Sequence, residues 1–256
     1  MLQLTVLGRW APYPRAGGAC SGYLVRAGNT NIMLDAGNGT FSNLCRHMDM
    51  RRLDALLLSH LHPDHYTDLY CLQHAMDWAV KQRGRPYLLN VYMPTEPAEV
   101  FNAFKSKPGL NVLPYEGLPL DQEQGLNLRR AEVGEMSLLF LAVPHSKPGY
   151  AVSIKAGEKT LVFSGDCAPN QNLITLAHGV DTYLSEGSGL DGDADYLYGK
   201  HHTARQAGGT ASRAGVKRLI LTHFWPEHPV EELLRQAGEG FGGPVEPAVE
   251  NESYDI

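Results

Sequence analysis

The sequence predicts an α/β protein built as a four-layer αββα sandwich, with two sheets face to face and helices outside. Short apolar runs bounded by Gly, Asn and Pro recur along the chain and read as strands. These runs dominate the middle of each half, while segments with apolar residues at three- and four-residue steps flank them and read as helices. No tandem repeat, low-complexity segment or interdomain linker interrupts the 256 residues, so a single domain spanning 1–256 is expected.

In chain order, LQLTVLG (2–8), SGYLVRAG (21–28) and TNIMLDAG (30–37) read as strands, the last two joined at the Gly28-Asn29 turn. A helix is expected from Phe41 to Met48, then the strand LDALLLS (53–59). Leu69, Leu72, Met76 and Val80 mark one apolar helix face, with Asp64 and Thr67 placed to cap it. YLLNVYM (87–93) reads as a strand and TEPAEVFNAF (95–104) as a helix begun by Thr95. The second half offers strands at LNLRRAEV (126–133), SLLFLAVP (137–144), GYAVSIKA (149–156) and TLVFSGD (160–166). A short helix (170–178) leads to the strand DTYLSEG (181–187), and a helix over 202–215 feeds the buried strand VKRLILTH (216–223). The acidic residues 245–256 are expected to form a loosely held tail.

Apolar residues make up 43% of the chain and charged residues 20%, the balance of a soluble globule with a sizeable core. No apolar run reaches the roughly 18–20 residues of a membrane span. MLQLTVLGRW lacks the basic start and apolar stretch of a secretion signal, so a cytoplasmic protein without a membrane partner is expected. A formal charge of −6 argues against a sequence-independent grip on large nucleic acids. The 4 cysteines, Cys20, Cys45, Cys71 and Cys167, form no CxxC pair and read as small buried residues rather than disulfides or thiolate ligands.

The chemistry sits at strand ends. LDALLLSH stops at His60, SLLFLAVPH at His145, TLVFSGD at Asp166 and VKRLILTH at His223. Strand ends share a sheet edge, so these residues can converge on one cleft. The stretch SHLHPDH adds to them: His60 and His62 project to the same side of an extended segment, and Asp64 and His65 follow in the turn after Pro63. One zinc ion uses three or four such groups. His60, His62, Asp64, His65, His145, Asp166 and His223 therefore suit two metals that share a carboxylate, about 3.5–4 Å apart as in two-metal hydrolytic sites.

HLHPDH resembles the signature of the metallo-β-lactamase superfamily, with His145, Asp166 and His223 in the expected order downstream. The resemblance runs from the first-strand glycine to about residue 235 and implies that family's fold. It assigns one metal to His60, His62 and His145, a second to Asp64, His65 and His223, and the bridging place to Asp166. KHHTARQAG (200–208) and VKRLILTHFWP resemble the ribonuclease Z-like phosphodiesterase branch. That likeness implies a catalytic His201, with His202 at a variable position, Glu186 orienting His201, and Asp35 bracing a metal-binding histidine. Lys147, Arg9 and Arg15 are candidate phosphate contacts, and Trp10, Tyr13, Phe224 and Trp225 a candidate apolar wall. Cys167 reads as structural, and His47, His74, His178 and His228 show no partner pattern.

The expected function is dinuclear metal-dependent hydrolysis of a small or cyclic phosphodiester by a metal-bridging hydroxide, with catalytic roles for His201, Asp64 and Glu186. Zinc suits the histidine and carboxylate ligands, and manganese, iron or cobalt are tolerated by such sites. Only residues 146–165 separate His145 from Asp166, too few for the tRNA-binding arm that ribonuclease Z carries there. A lactone, ester or thioester hydrolase, a tRNA 3′-processing endonuclease and a non-catalytic binding or regulatory protein are the alternative readings. A homodimer is the commonest assembly for a soluble oligomer.

Overall fold

The computed structural model describes every residue except Arg83, Arg85 and Gln124. Its first six strands are β1 (Leu2–Gly8), β2 (Gly22–Ala27), β3 (Thr30–Leu34), β4 (Ala55–Leu57), β5 (Leu89–Met93) and β6 (Leu110–Pro114). Next come β7 (Leu120–Glu123), β8 (Leu126–Val133), β9 (Met136–Val143), β10 (Gly149–Ala156) and β11 (Lys159–Phe163). The chain closes with β12 (Thr182–Glu186), β13 (Leu219–Thr222), β14 (Glu246–Pro247) and β15 (Ser253–Asp255). One sheet runs β15-β1-β2-β3-β4-β5-β6, the other β14-β13-β12-β11-β10-β9-β8-β7.

Side-chain alternation explains why the sheets stack. Leu4, Val6, Tyr23, Val25, Ile32, Leu34, Ala55 and Leu57 meet Leu138, Phe140, Val152, Phe163, Leu184 and Ile220 in one core between the sheets. Their neighbours Leu24, Met33, Leu56 and Leu58 point the other way, into a second core under the helices. A strand buried on both faces must be apolar at nearly every position, which is why LDALLL reads as an unbroken run.

Helices α1 (Thr40–His47), α2 (Pro63–Tyr66), α3 (Leu69–Gln82) and α4 (Ala98–Phe104) belong to the first half. The second half holds α5 (Gln171–Leu176), α6 (Ala194–Leu197), α7 (Ala204–Ala214) and α8 (Val230–Phe241). Thr203 caps α7, its hydroxyl accepting from Gln206 N–H while Gln206 Oε1 accepts from Thr203 N–H. α7 and α8 approach so closely that a Cβ on Gly208 would sit 2.0 Å from the Ala237 carbonyl.

Several expectations need correction. The inner face of α3 ends on Ala79 rather than Val80, and α4 starts after Pro97, which leaves Thr95 outside it. Cys45 and Cys71 are exposed, and only Cys20 and Cys167 are buried. The residues 245–256 are not a loose tail. β15 pairs antiparallel with β1, Leu4 opposite Tyr254, and Ile256 N–H donates to the Leu2 carbonyl at 3.0 Å. Tyr254 is only 8% exposed and packs into the core between the sheets. Its hydroxyl donates to the Pro247 carbonyl at 2.8 Å and accepts from Val249 N–H at 3.0 Å.

Removing that side chain leaves a cavity and two unpaired backbone groups. Tyr254→Ala should lower unfolding stability by about 3 kcal/mol, read from urea denaturation. A loss near zero would mean that the strand is dispensable.

Candidate metal centre and active site

Strand direction gathers the polar residues. β9 and β11 both run antiparallel to β10, and β11, β12 and β13 run parallel to one another, so β9, β11, β12 and β13 all finish on one edge. His145, Asp166, Glu186 and His223 lie at or just past those ends, while Asp35 and His60 follow the parallel pair β3 and β4. Asp35 and His223 adopt left-handed backbone, with φ of 53° and 61°. Strain of that kind, roughly 1 kcal/mol or more per residue, persists where the surroundings fix the conformation.

All seven expected ligand residues come together. His62 Nδ1 lies 2.8 Å from His60 Nε2 and 3.1 Å from His145 Nε2. Close by, His65 Nε2 stands 3.3 Å from His223 Nε2 and 3.5 Å from Asp64 Oδ2. Asp166 Oδ2 sits between the groups, 3.7 Å from His60 Nε2, 3.4 Å from His65 Nε2 and 3.1 Å from His223 Nε2.

The partners behind the rings decide what the inner nitrogens can do. His145 Nδ1 faces the Lys200 carbonyl at 2.8 Å, and a carbonyl only accepts, so that nitrogen carries the hydrogen. His65 Nδ1 likewise donates to Asp35 Oδ2 at 2.8 Å. Ser188 Oγ donates its one hydrogen to Glu186 Oε2 at 2.5 Å and therefore accepts from His223 Nδ1 at 2.8 Å. Three inner nitrogens thus present lone pairs to one another and to two carboxylates. A proton or a metal ion relieves that arrangement, and imidazole with carboxylate is a donor set for a divalent metal. The residues fit a divalent metal ion.

The shifts divide the rings: against burial, Asp166, Asp64 and Asp35 hold His65 well above its ordinary pKa, whereas two others go down. Burial, with neighbouring imidazoles, holds His60 well below its ordinary pKa and brings His62 down to about 4, leaving both neutral as ligation requires. Burial would raise Asp166, but His223, His65 and His60 more than offset it and keep the carboxyl ionised. Burial also raises Asp35, against the pull of His65 and of Ser59, whose N–H and Oγ–H donate to it at 2.7 and 2.9 Å.

His201 stands beside the ligands without joining the short contacts among them. Its Nδ1 lies 2.9 Å from Glu186 Oε2 and 3.8 Å from Asp166 Oδ2. Burial disfavours charge on the ring, yet Glu186 and then Asp166 lift its pKa to about 9. His201 is therefore a cation at neutral pH, with Nε2 left for a substrate. Cys167, Glu186 and His202 form another close group. There His202 Nδ1 donates to the Cys167 carbonyl at 2.7 Å, and burial pushes the Cys167 thiol well up, which favours its protonated form.

A cleft of about 470 Å³ opens over the cluster, lined among others by His62, Asp64, His201, Lys200 and Trp225. That volume suits a small molecule. A larger hollow of about 610 Å³, bounded by Leu126, Leu139 and Val180, lies away from the cluster and holds none of the groups described. Arg9 and Arg15 turn out not to face the cleft. Arg9 donates to the Ala248 carbonyl, and Arg15 to the carbonyls of Pro226 and His228. Trp10 and Phe224 are buried, so of the expected aromatic wall only Trp225 lines the cleft. Ser59, Ser188 and Lys200 give no sequence signal beyond proximity to the motifs.

A sequence profile described as the β-lactamase superfamily domain matches residues 30–224. The chain belongs to that superfamily. Within it, the probable metallo-hydrolase YhfI of Bacillus subtilis is 29% identical over 245 residues, 95% of this chain and 96% of the relative. The crystal structure of YhfI superposes with a TM-score of 0.89 at 26% identity, covering 99% of this chain and 98% of that one. A ribonuclease Z of Myxococcus xanthus is 25% identical over 312 residues, 100% of this chain and 98% of the relative. Human tRNase Z, short form, shares the fold at a TM-score of 0.76 and 20% identity, covering 99% of this chain and 99% of that one.

Asp35→Asn keeps a side chain that tolerates the left-handed backbone but removes the charge behind His65. It should weaken zinc binding about 10–100-fold in a chelator competition. Unchanged affinity would show that His65 needs no carboxylate behind it.

Proposed function

We propose that the protein is a metal-dependent hydrolase of small or cyclic phosphodiesters. The observation that carries this reading is the His201–Glu186 pair, in which the half-buried His201 lies 2.9 Å from Glu186 and 3.8 Å from Asp166. His60, His62 and His145, with Asp64, His65, His223 and Asp166, would hold the divalent metal, which would supply an acidified water and offset charge growing on phosphorus oxygens. Zinc is the expected ion for a set of imidazoles and carboxylates without thiolate.

The chain's own residues supply the rest. Asp64, 3.5 Å from His65 and lining the cleft, accepts a hydrogen bond from the attacking water and aims it. His201, protonated at neutral pH, donates from Nε2 to the departing alkoxide oxygen. Glu186 holds the ring through Nδ1 and stabilises its charged form, while Cys167 N–H at 2.5 Å and Ser188 fix Glu186 in turn. Such proton donation matters for an alkoxide leaving from phosphorus.

The relatives named ribonuclease Z support phosphodiester chemistry, and the structure supports a small substrate. Residues 146–165, between His145 and Asp166, form the β10–β11 hairpin and its short flanks, without an arm to hold an RNA stem.

The purified chain should hold about two divalent ions and hydrolyse bis(p-nitrophenyl) phosphate. His201→Ala should cut kcat about 10²–10⁴-fold with metal content unchanged, read by metal analysis and steady-state kinetics. Loss of metal in that variant would make His201 a ligand instead, and metal-loaded protein inert toward diesters would overturn the reading.

A further inference from the structure

The outer wall of the cleft is aromatic, and the proton transfers described above give that wall no task. Trp225 lines the cleft two residues after His223. His228 stacks on its indole, with centroids 5.6 Å apart and planes 15° off parallel. Tyr196 meets the indole nearly at right angles, 5.8 Å away and at 74°. The two rings make a corner, and Tyr196 is 67% exposed. The His228 backbone N–H donates to the Trp225 carbonyl at 3.1 Å, and its ring Nε2 lies 2.9 Å from Asp193 Oδ2 without hydrogen-bond geometry. Lys200 Nζ sits 4.1 Å from the centre of the Tyr196 ring, so a cation borders the same corner.

Two aromatic rings that line the cleft beside a polar centre, one of them 67% exposed, are a surface for a flat ring. Stacked and edge-to-face contacts reward another aromatic group more than an aliphatic one of equal size. A nucleobase offers a π-face whatever its identity, and a lysine at the margin suits the phosphate to which it is joined. A sugar phosphate without a base would leave the corner bare.

We propose that Trp225 and Tyr196 form a stacking platform for a nucleobase carried on the substrate, with Lys200 supplying positive charge to its phosphate. His228 is a positioning residue that holds the indole plane. This inference rests on the phosphodiester reading above and narrows its substrate to nucleotides.

The test is calorimetric binding to the metal-loaded protein, with adenosine 5′-monophosphate and ribose 5-phosphate as probes. The wild type should bind the nucleotide at least about tenfold more tightly. Trp225→Leu and, separately, the exposed-site change Tyr196→Ala should remove most of that preference and leave ribose 5-phosphate affinity as it was. His228→Ala should act in the same direction with a smaller effect, and Trp225→Phe should restore most of the preference. Equal affinity of the wild type for both probes, or equal loss of both in the variants, would overturn the platform. Nucleotide preference without diester hydrolysis would uphold the platform and sink the hydrolase reading, so the two can fail separately.

Discussion

The site straddles two sheets, so its existence depends on how those sheets are docked. Asp35, His60, His62, Asp64 and His65 follow strands of the first sheet, whereas His145, Asp166, Glu186 and His223 follow strands of the second. Nothing local fixes one set against the other. The apolar core between the sheets does so in bulk, and two hydrogen bonds do so at the ligand loops. Tyr23 and Thr222 hydroxyls meet at 2.7 Å beneath His223, and Tyr150 N–H donates to the Ser59 carbonyl at 2.9 Å beside His60. Tyr115, just past β6 of the first sheet, also lays its ring 4.4 Å from that of Tyr150 on β10 of the second. Buried polar links between apolar layers do little for net stability but specify one alignment.

Given that alignment, Asp166 becomes the hub. Gly165 ahead of it takes a positive φ of 56°, and a Cβ there would lie 2.9 Å from the Tyr150 carbonyl. A tight turn at glycine lets the Asp166 carboxylate reach in between imidazoles from both sheets. The serine–carboxylate pairs then act symmetrically: Ser59 with Asp35 behind His60 and His65, Ser188 with Glu186 behind His223 and His201. Each pair sets which ring nitrogen is bare, so proton placement in the centre follows from groups outside it.

How much of this is legible in the sequence follows from the range of each interaction. HLHPDH is readable because its ligands share one short segment and their spacing is their geometry. His145, Asp166 and His223 are readable because apolar strands announce their own ends. Ser59 and Ser188 sit inside the same motifs, yet serine is common and a hydroxyl shows its donor direction only once its neighbours are placed. Lys200 acts on His145 through a backbone carbonyl, which carries no residue signature at all. The C-terminal segment misleads for a related reason: its acids describe the exposed side of β15, while a single tyrosine pins the strand. β6 and β7 are overlooked because edge strands bury little and read as polar loops.

His228 shows where pattern reading stops. No spacing links it to the ligand set, and its partners, Trp225 three residues before it and Asp193 on another loop, face it only in the fold. The same fold gives His201 and His228 contrasting tasks. His201 pairs with the buried carboxylate Glu186 beside Asp166, whereas His228 stacks on Trp225 at the rim. Both lie beside an acid, but Glu186 is 1% exposed and Asp193 far more open. A carboxylate in a dry site shifts its partner's proton strongly, as Glu186 does for His201. Depth in the cleft therefore separates chemistry from recognition within a single wall of side chains.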